Sequence, residues 1–225
     1  MLNVLKNLDW SLLVNVLLSV IPSLLCITLH ETAHGFVAYK LGDDTAKRMG
    51  RLTLNPLKHI DIFGLVMMAV FHFGWAKAVP VNMFKFKNPK TGMAVTAAAG
   101  PVCNIVLACV CLALYGLLYE LLAPTAVGYV ILEMLYLCAY ISTAFAIFNV
   151  IPIPPLDGSK VLFSFLSDKT YYKLMRYEKY GMIFLVVLIL VSSRTGIFGD
   201  PLGTAADWLF DKLFVIAQGT HALTV

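Results

Sequence analysis

The sequence predicts an all-α multi-pass membrane protein, a core helical bundle with a small membrane-associated β-sheet or hairpin and a re-entrant segment. Three observations lead there. Of 225 residues, 60% are hydrophobic and 13% charged, about half the charge of an ordinary soluble domain, and mean hydropathy is +0.81. The charge is missing in blocks: no Asp, Glu, Lys, Arg or His interrupts residues 10–29, 91–119, 134–156 or 180–193. Between the blocks, apolar and polar residues alternate at 51–54 and 76–86, which suits short strands at a membrane surface. A large soluble helical core fits uncharged runs of this length poorly.

The blocks set the elements in order. Residues 10–40 read as one long helix, bent at Pro22 and ended by Gly42-Asp43-Asp44. Residues 62–71 are apolar but only about half a span, so they read as re-entrant or hairpin rather than crossing. Residues 91–119 and a second span ending near Asn149 both reach the roughly 20 residues needed to cross a hydrocarbon core. Three prolines in "NVIPIPPLDGSK" cannot continue a regular helix. Residues 180–193 form a last, short crossing that needs its flanks or a thinned bilayer. The tail "TAADWLFDKLFVIAQG" is expected to lie in the membrane interface. The chain is therefore one membrane-embedded domain over 1–225: a helix at 1–42, strands and the re-entrant segment at 43–90, two spans and the proline turn at 91–165, and the last span and interfacial tail at 166–225.

Charge constrains orientation and partners. Residues 40–90 and 159–179 hold most of the Lys and Arg, so that side is expected to be cytoplasmic and the N-terminus outside. A formal charge of +4 with no basic run interleaved with aromatics gives no sign of nucleic acid. Cys26, Cys103, Cys109, Cys111 and Cys138 all sit in apolar runs without a CxxC spacing, and read as small buried hydrophobes. Nothing upstream of the first block resembles a cleavable signal peptide.

One stretch of the first block carries chemistry. His30-Glu31-Thr32-Ala33-His34 is an HExxH pattern, whose histidines differ by about 40° around a helix and face one point. Two such imidazoles can clasp a tetrahedral metal while the intervening glutamate acts on its water. Ionisable groups at this depth in a span are costly and by default functional. Catalytic zinc usually takes a third protein ligand. Asp157 is a candidate, as the carboxylate at the membrane end of an apolar span whose backbone is broken by prolines. Taken alone, it could equally cap the helix that begins at Gly158.

Together these residues resemble the site-2 protease family of intramembrane zinc metalloproteases. The resemblance runs in order through "HETAH", "NPLKHIDIFG", "GWAKAVPVN", "AAGPVCN" and "NVIPIPPLDG", and covers most of the chain. It implies one Zn2+ held by His30, His34 and Asp157, and Glu31 as catalytic base. It also implies that Asn149 steadies the substrate carbonyl or its oxyanion, and that His59 stands near the site and contributes to catalysis or substrate positioning. Read by itself, His59 could be a surface residue beside Lys58 and Asp61. Asn104 is expected to stabilise packing between spans. The chain departs from the family in beginning with the metal helix and in carrying no PDZ-like or other regulatory domain, which leaves substrate choice open. Ala78 stands where a proline is common in relatives.

The implied activity is hydrolysis of peptide bonds within or near transmembrane segments of membrane-protein substrates, as in regulated intramembrane proteolysis. A substrate helix must first unwind, and the strand-like edges at 51–55 or 76–86 offer β-augmentation to it. Thr28, Ser142 and Thr143 could help admit water, although helix hydroxyls more often bond their own backbone. The rival readings are a membrane metal transporter and a non-proteolytic scaffold of the same fold. Clustering of ionisable groups at one depth argues against the first, and the presence of Glu31 against the second. The lipid bilayer and a transmembrane substrate are the expected partners, with a homo-oligomer left open.

Overall fold

The computed structural model describes residues 10–61, 76–195 and 201–224. Helix α1 spans Trp10–Lys40 and continues through Pro22. It stops where Gly42 takes φ +108°, a left-handed backbone that costs little only for glycine. There Gly42 N–H donates to Tyr39 O at 3.1 Å and Asp43 N–H to Ala38 O at 2.9 Å, satisfying the last carbonyls. A short helix α2 follows at Thr45–Arg48.

Helix α3, Pro89–Leu122, opens with proline at its first turn, and the Asn88 side chain accepts from Thr91 N–H at 3.2 Å. Helix α4, Ala126–Val150, is capped by Thr125, whose hydroxyl oxygen accepts from Gly128 N–H at 3.0 Å. The connection at 123–125 is too short for anything but an antiparallel pair. α1 runs antiparallel to α3 and parallel to α4: Cys103 reaches Leu29 O, His34 reaches Thr96 O, and Cys26 meets Cys138 and Ser142. The last turns of α1, the first turns of α3 and the end of α4 therefore share one end of the bundle.

Small residues let these helices close on one another. The core holds Cys26, Ala108, Cys111, Leu112, Cys138 and Ala139, the composition that permits close helix approach in lipid. The outer face of α3 is the reverse of a soluble surface. Val102, Val106, Val110, Leu114, Leu117 and Leu121 are exposed along one stripe. Among the described residues, Val20–Lys40, Pro89–Leu122 and Ala126–Val150 are long and apolar enough to cross a membrane. The protein is multi-pass.

After the proline turn come α5 (Asp157–Phe163), α6 (Asp168–Tyr177), a 3-10 turn at Glu178–Tyr180, α7 (Gly181–Thr195) and α8 (Pro201–His221). The expected last crossing is α7, of which 15 residues are described, roughly 22 Å of helix; among the described residues it is not one of the helices long enough to span. The tail expected in the interface is α8, and it packs lengthwise on α3 and α4. Tyr140 donates to Asp207 at 2.8 Å, and His221 Nε2 lies 2.7 Å from Glu120. Ala206, Phe210 and Ala217 are buried between. A face of small and aromatic residues found a helical groove to fill.

The expected β-sheet or hairpin is absent: among the described residues no strand forms. Residues 76–82 form neither strand nor helix, and their backbone groups go elsewhere. Lys77 N–H donates to His59 O at 2.9 Å, and Arg51 donates to Lys77 O at 2.7 Å. Val79 N–H donates to Glu31 at 2.8 Å and Asn82 N–H to Asp43 at 2.6 Å. Thr53 O likewise accepts from Thr32 at 2.9 Å and from His59. Side chains take the donors and acceptors a ladder would need, so alternation without a strand partner gives loops. The expected re-entrant segment, 62–71, lies outside the described residues.

Asp43 ties these loops to α1. It is fully buried and accepts from Thr45 N–H at 3.0 Å, from the Thr45 hydroxyl and from Asn82 N–H. Lys85 Nζ stands 3.5 Å away. Burial by itself would raise its pKa, but the bonds from Thr45 and Asn82 and the charge of Lys85 outweigh that and hold the carboxyl below its usual range. A depressed carboxyl pKa stabilises the fold above the unfolded-state value and ceases to do so as pH falls through the folded value. Asp43→Asn should therefore cost about 1–3 kcal/mol at neutral pH. Thermal unfolding in detergent should show its gap from the wild type closing below about pH 4.

Candidate metal and catalytic site

The site is assembled where α1, α3 and the proline turn meet. The α1 periodicity puts His30 and His34 on one face, both buried, with ring centroids 4.6 Å apart in edge-to-face contact. Each Nε2 lies 3.1 Å from the same oxygen, Asp157 Oδ2. Among the described residues these three are the group whose donor atoms converge closely enough for a metal ion.

The donor chemistry tests the fit. Thr96 O, 2.7 Å from His34 Nδ1, can only accept, so that nitrogen carries the ring proton and a neutral His34 turns an Nε2 lone pair toward the site. A lone pair facing a carboxylate oxygen becomes favourable when a metal ion, or a proton, lies between them. Donors 3.1 Å apart are also close to the edge, about 3.3 Å, of a tetrahedron with Zn–N bonds of 2.0–2.1 Å. The residues fit a divalent metal, and a carbonyl behind a ligating histidine is the usual support.

Two glycines make the convergence possible. A Cβ at Gly100 would lie 2.5 Å from His30 Cε1 and from His34 Cε1 and Nε2, so only a bare backbone lets α3 back the imidazoles. A Cβ at Gly158 would lie 1.9 Å from Val150 O, so the chain can fold back under α4 only with glycine after Asp157. The cap of α5 is Leu156, with no side-chain cap bond. Asp157 is the next residue, and its carboxylate is turned to the imidazoles rather than onto the first turn of α5.

The other expected residues meet the same space. A cavity of about 610 Å³ is lined by His30, Glu31, His34, His59, Asn149 and Asp157, among others. Glu31 Oε2 accepts from Val79 N–H at 2.8 Å. Asn149 reaches the cavity while Nδ2 donates to Phe145 O at 2.9 Å. His59 is buried rather than on the surface, and its Nε2–H donates to Thr53 O at 2.9 Å. Asn104 is fully buried one turn beyond Gly100, and among the described residues neither of its polar atoms has a partner. Of the hydroxyls, Thr28 lines the cavity, whereas Ser142 Oγ is 2.9 Å from Cys26 Sγ and Thr143 donates to Ala139 O at 2.9 Å.

Sequence reasoning missed Thr96, Gly100, Val79 and Lys160. Thr96 and Val79 contribute backbone atoms, for which residue type is no signal. Gly100 had one: a glycine before Pro101 inside an apolar span marks a close approach.

A buried His-His-Asp donor set beside a glutamate, in a bundle of spanning helices, defines the class as a membrane metallopeptidase, and the chain belongs to peptidase family M50, the site-2 protease family. The family model matches residues 118–192, which take in the proline turn and Asp157 but not the HExxH pattern. Among individual proteins, the chain is similar to YwhC of Bacillus subtilis, a candidate zinc metalloprotease by name, with 38% identity over 193 residues covering 84% of this chain and 83% of that one. It is similar too to Rip2 of Mycobacterium tuberculosis, named in the same way, with 31% identity over 195 residues covering 84% and 71%. No solved structure matches the chain.

The close backing by Gly100 gives a test. Gly100→Ala should push the imidazoles off their common point and lower affinity for added Zn2+ by roughly 10-fold or more. Circular dichroism of the purified variant should show its helices intact.

Proposed function

We propose that this chain is an intramembrane zinc endopeptidase that cleaves peptide bonds within or near transmembrane segments of membrane-protein substrates. The observation that carries the reading is the convergence of His30, His34 and Asp157 at one point, with Glu31 on the wall of the same cavity. His30, His34 and Asp157 hold one Zn2+ per chain. When bound, the ion supplies Lewis-acid polarisation and a water acidic enough to react at neutral pH.

The remaining work belongs to the chain's own groups. Glu31 accepts the proton of the attacking water and returns it to the leaving amine. Val79 N–H orients the carboxylate by holding Oε2, leaving Oε1 for the proton. Asn149 supports the carbonyl oxygen as charge develops there, exchanging its bond to Phe145 O for the substrate. His59, fixed through Thr53 O, borders the substrate path. Ala76, Ala78, Val79 and Val81 line the cavity, so the run 76–82 is the wall against which an unwound substrate lies. The chain forms one membrane domain with the basic loops and the site toward the cytoplasm, placing the N-terminus outside.

Glu31→Gln should retain bound zinc and lose at least about 100-fold in cleavage rate. Comparative proteomics of membrane-protein fragments, wild type against Glu31→Gln, would reveal the substrates; identical fragments in both would refute Glu31 as base. Asp157→Asn should weaken zinc binding by roughly 10-fold or more in chelator competition, and unchanged affinity would remove it from the ligand set.

A further inference from the structure

Asp157 offers Oδ2 to both imidazoles, and its other oxygen also has a partner. Lys160 Nζ lies 3.7 Å from Asp157 Oδ1, one turn further along α5. This is no free surface lysine: its side chain is 18% exposed, and Nζ also lies 3.2 Å from Glu178 Oε1 and 3.4 Å from Pro155 O. Glu178 Oε1 and Pro155 O lie within hydrogen-bond reach of the ammonium, and Asp157 Oδ1 completes an ion pair. Glu178 begins the 3-10 turn between α6 and α7. Three residues on, Gly181 sits so close that a Cβ there would be 2.6 Å from the Pro154 carbonyl carbon. The turn that carries Asp157 is thus gripped from the far side by the segment that follows α6.

We propose that Lys160, held by Glu178, is a positioning residue: it fixes Asp157 Oδ1 so that Oδ2 faces the point shared by His30 and His34. The inference rests on the metal reading of those three residues. Two effects oppose each other. A nearby ammonium repels a bound cation, whereas a fixed carboxylate spares the ordering a mobile one would require. The Glu178 carboxylate neutralises the ammonium, so the pair adds no net charge beside the site and positioning wins.

This separates position from charge. The full chain, purified in detergent and stripped of metal, is titrated with Zn2+ against a competing chelator. Lys160→Met and the charge-neutral Lys160→Met/Glu178→Gln pair should each lose roughly 10- to 100-fold in zinc affinity, while Lys160→Arg retains it. The Co2+-loaded double variant should also show an altered visible absorption spectrum. If only charge mattered, Lys160→Met would bind Zn2+ more tightly and the double variant would match the wild type; either result overturns the proposal. Should the methionine variants fail to fold, Lys160→Ala and Lys160→Ala/Glu178→Gln, which also remove the contact to Asp157, carry the same expectations. A wild-type chain that takes up no zinc would instead overturn the metal assignment beneath it.

Discussion

Placing two imidazoles and a carboxylate among apolar helices is the constraint to which the rest of this structure answers. Ionisable groups held away from water are tolerated only when they face one another, a backbone acceptor or a cation. Two of these compensations are present here, and the donor atoms lie close enough together for the third. The imidazoles share Asp157 Oδ2, one ring proton goes to Thr96 O, and the three donors converge as a bound cation would require. The bundle must then be tight enough to hold that arrangement, which explains glycine where α3 backs the imidazoles and glycine where the chain turns beneath α4.

The same economy of polar groups shapes the loops beside the site. In a sheet, backbone N–H and C=O groups satisfy one another along a ladder. In the run 76–82 they are claimed by Glu31, Asp43, Arg51 and the carbonyl of His59. The segment is thus fixed without a strand neighbour, and its placement is coupled to Glu31. In the proposed reading, a loop that holds the base and lines the cavity would link substrate placement to base orientation through a single hydrogen bond.

Packing elsewhere follows from lipid as solvent. With no hydrophobic drive between helices in a bilayer, contact depends on close approach, and the buried core is accordingly rich in cysteine and alanine beside Leu112 and Phe210. The valines and leucines of α3 face outward. α8 fills a groove between α3 and α4 with Ala206, Phe210 and Ala217, although its charged residues suggested a helix resting at the surface. Composition measures how polar a helix is, not which of its faces finds a groove.

What the sequence by itself determined was local and periodic. Uncharged blocks predicted the long helices, because crossing a hydrocarbon core requires an apolar run of a certain length. The HExxH spacing put His30 and His34 on one face, because four residues make slightly more than one turn. Read from local sequence, Asp157 is open between a metal role and a helix cap, since its 127-residue separation from His30 leaves no local rule to orient it; the fold turns its carboxylate to the imidazoles. Tertiary structure also decided the carbonyl behind His34, the backing by Gly100, the amide on Glu31 and the Glu178–Lys160 grip on Asp157. Each depends on two distant segments meeting within about 4 Å. Alternation at 51–54 and 76–86 misled for the same reason: residues 52–54 bend and Met83–Lys85 form a 3-10 turn, because a strand exists only where another segment offers its own unpaired edge.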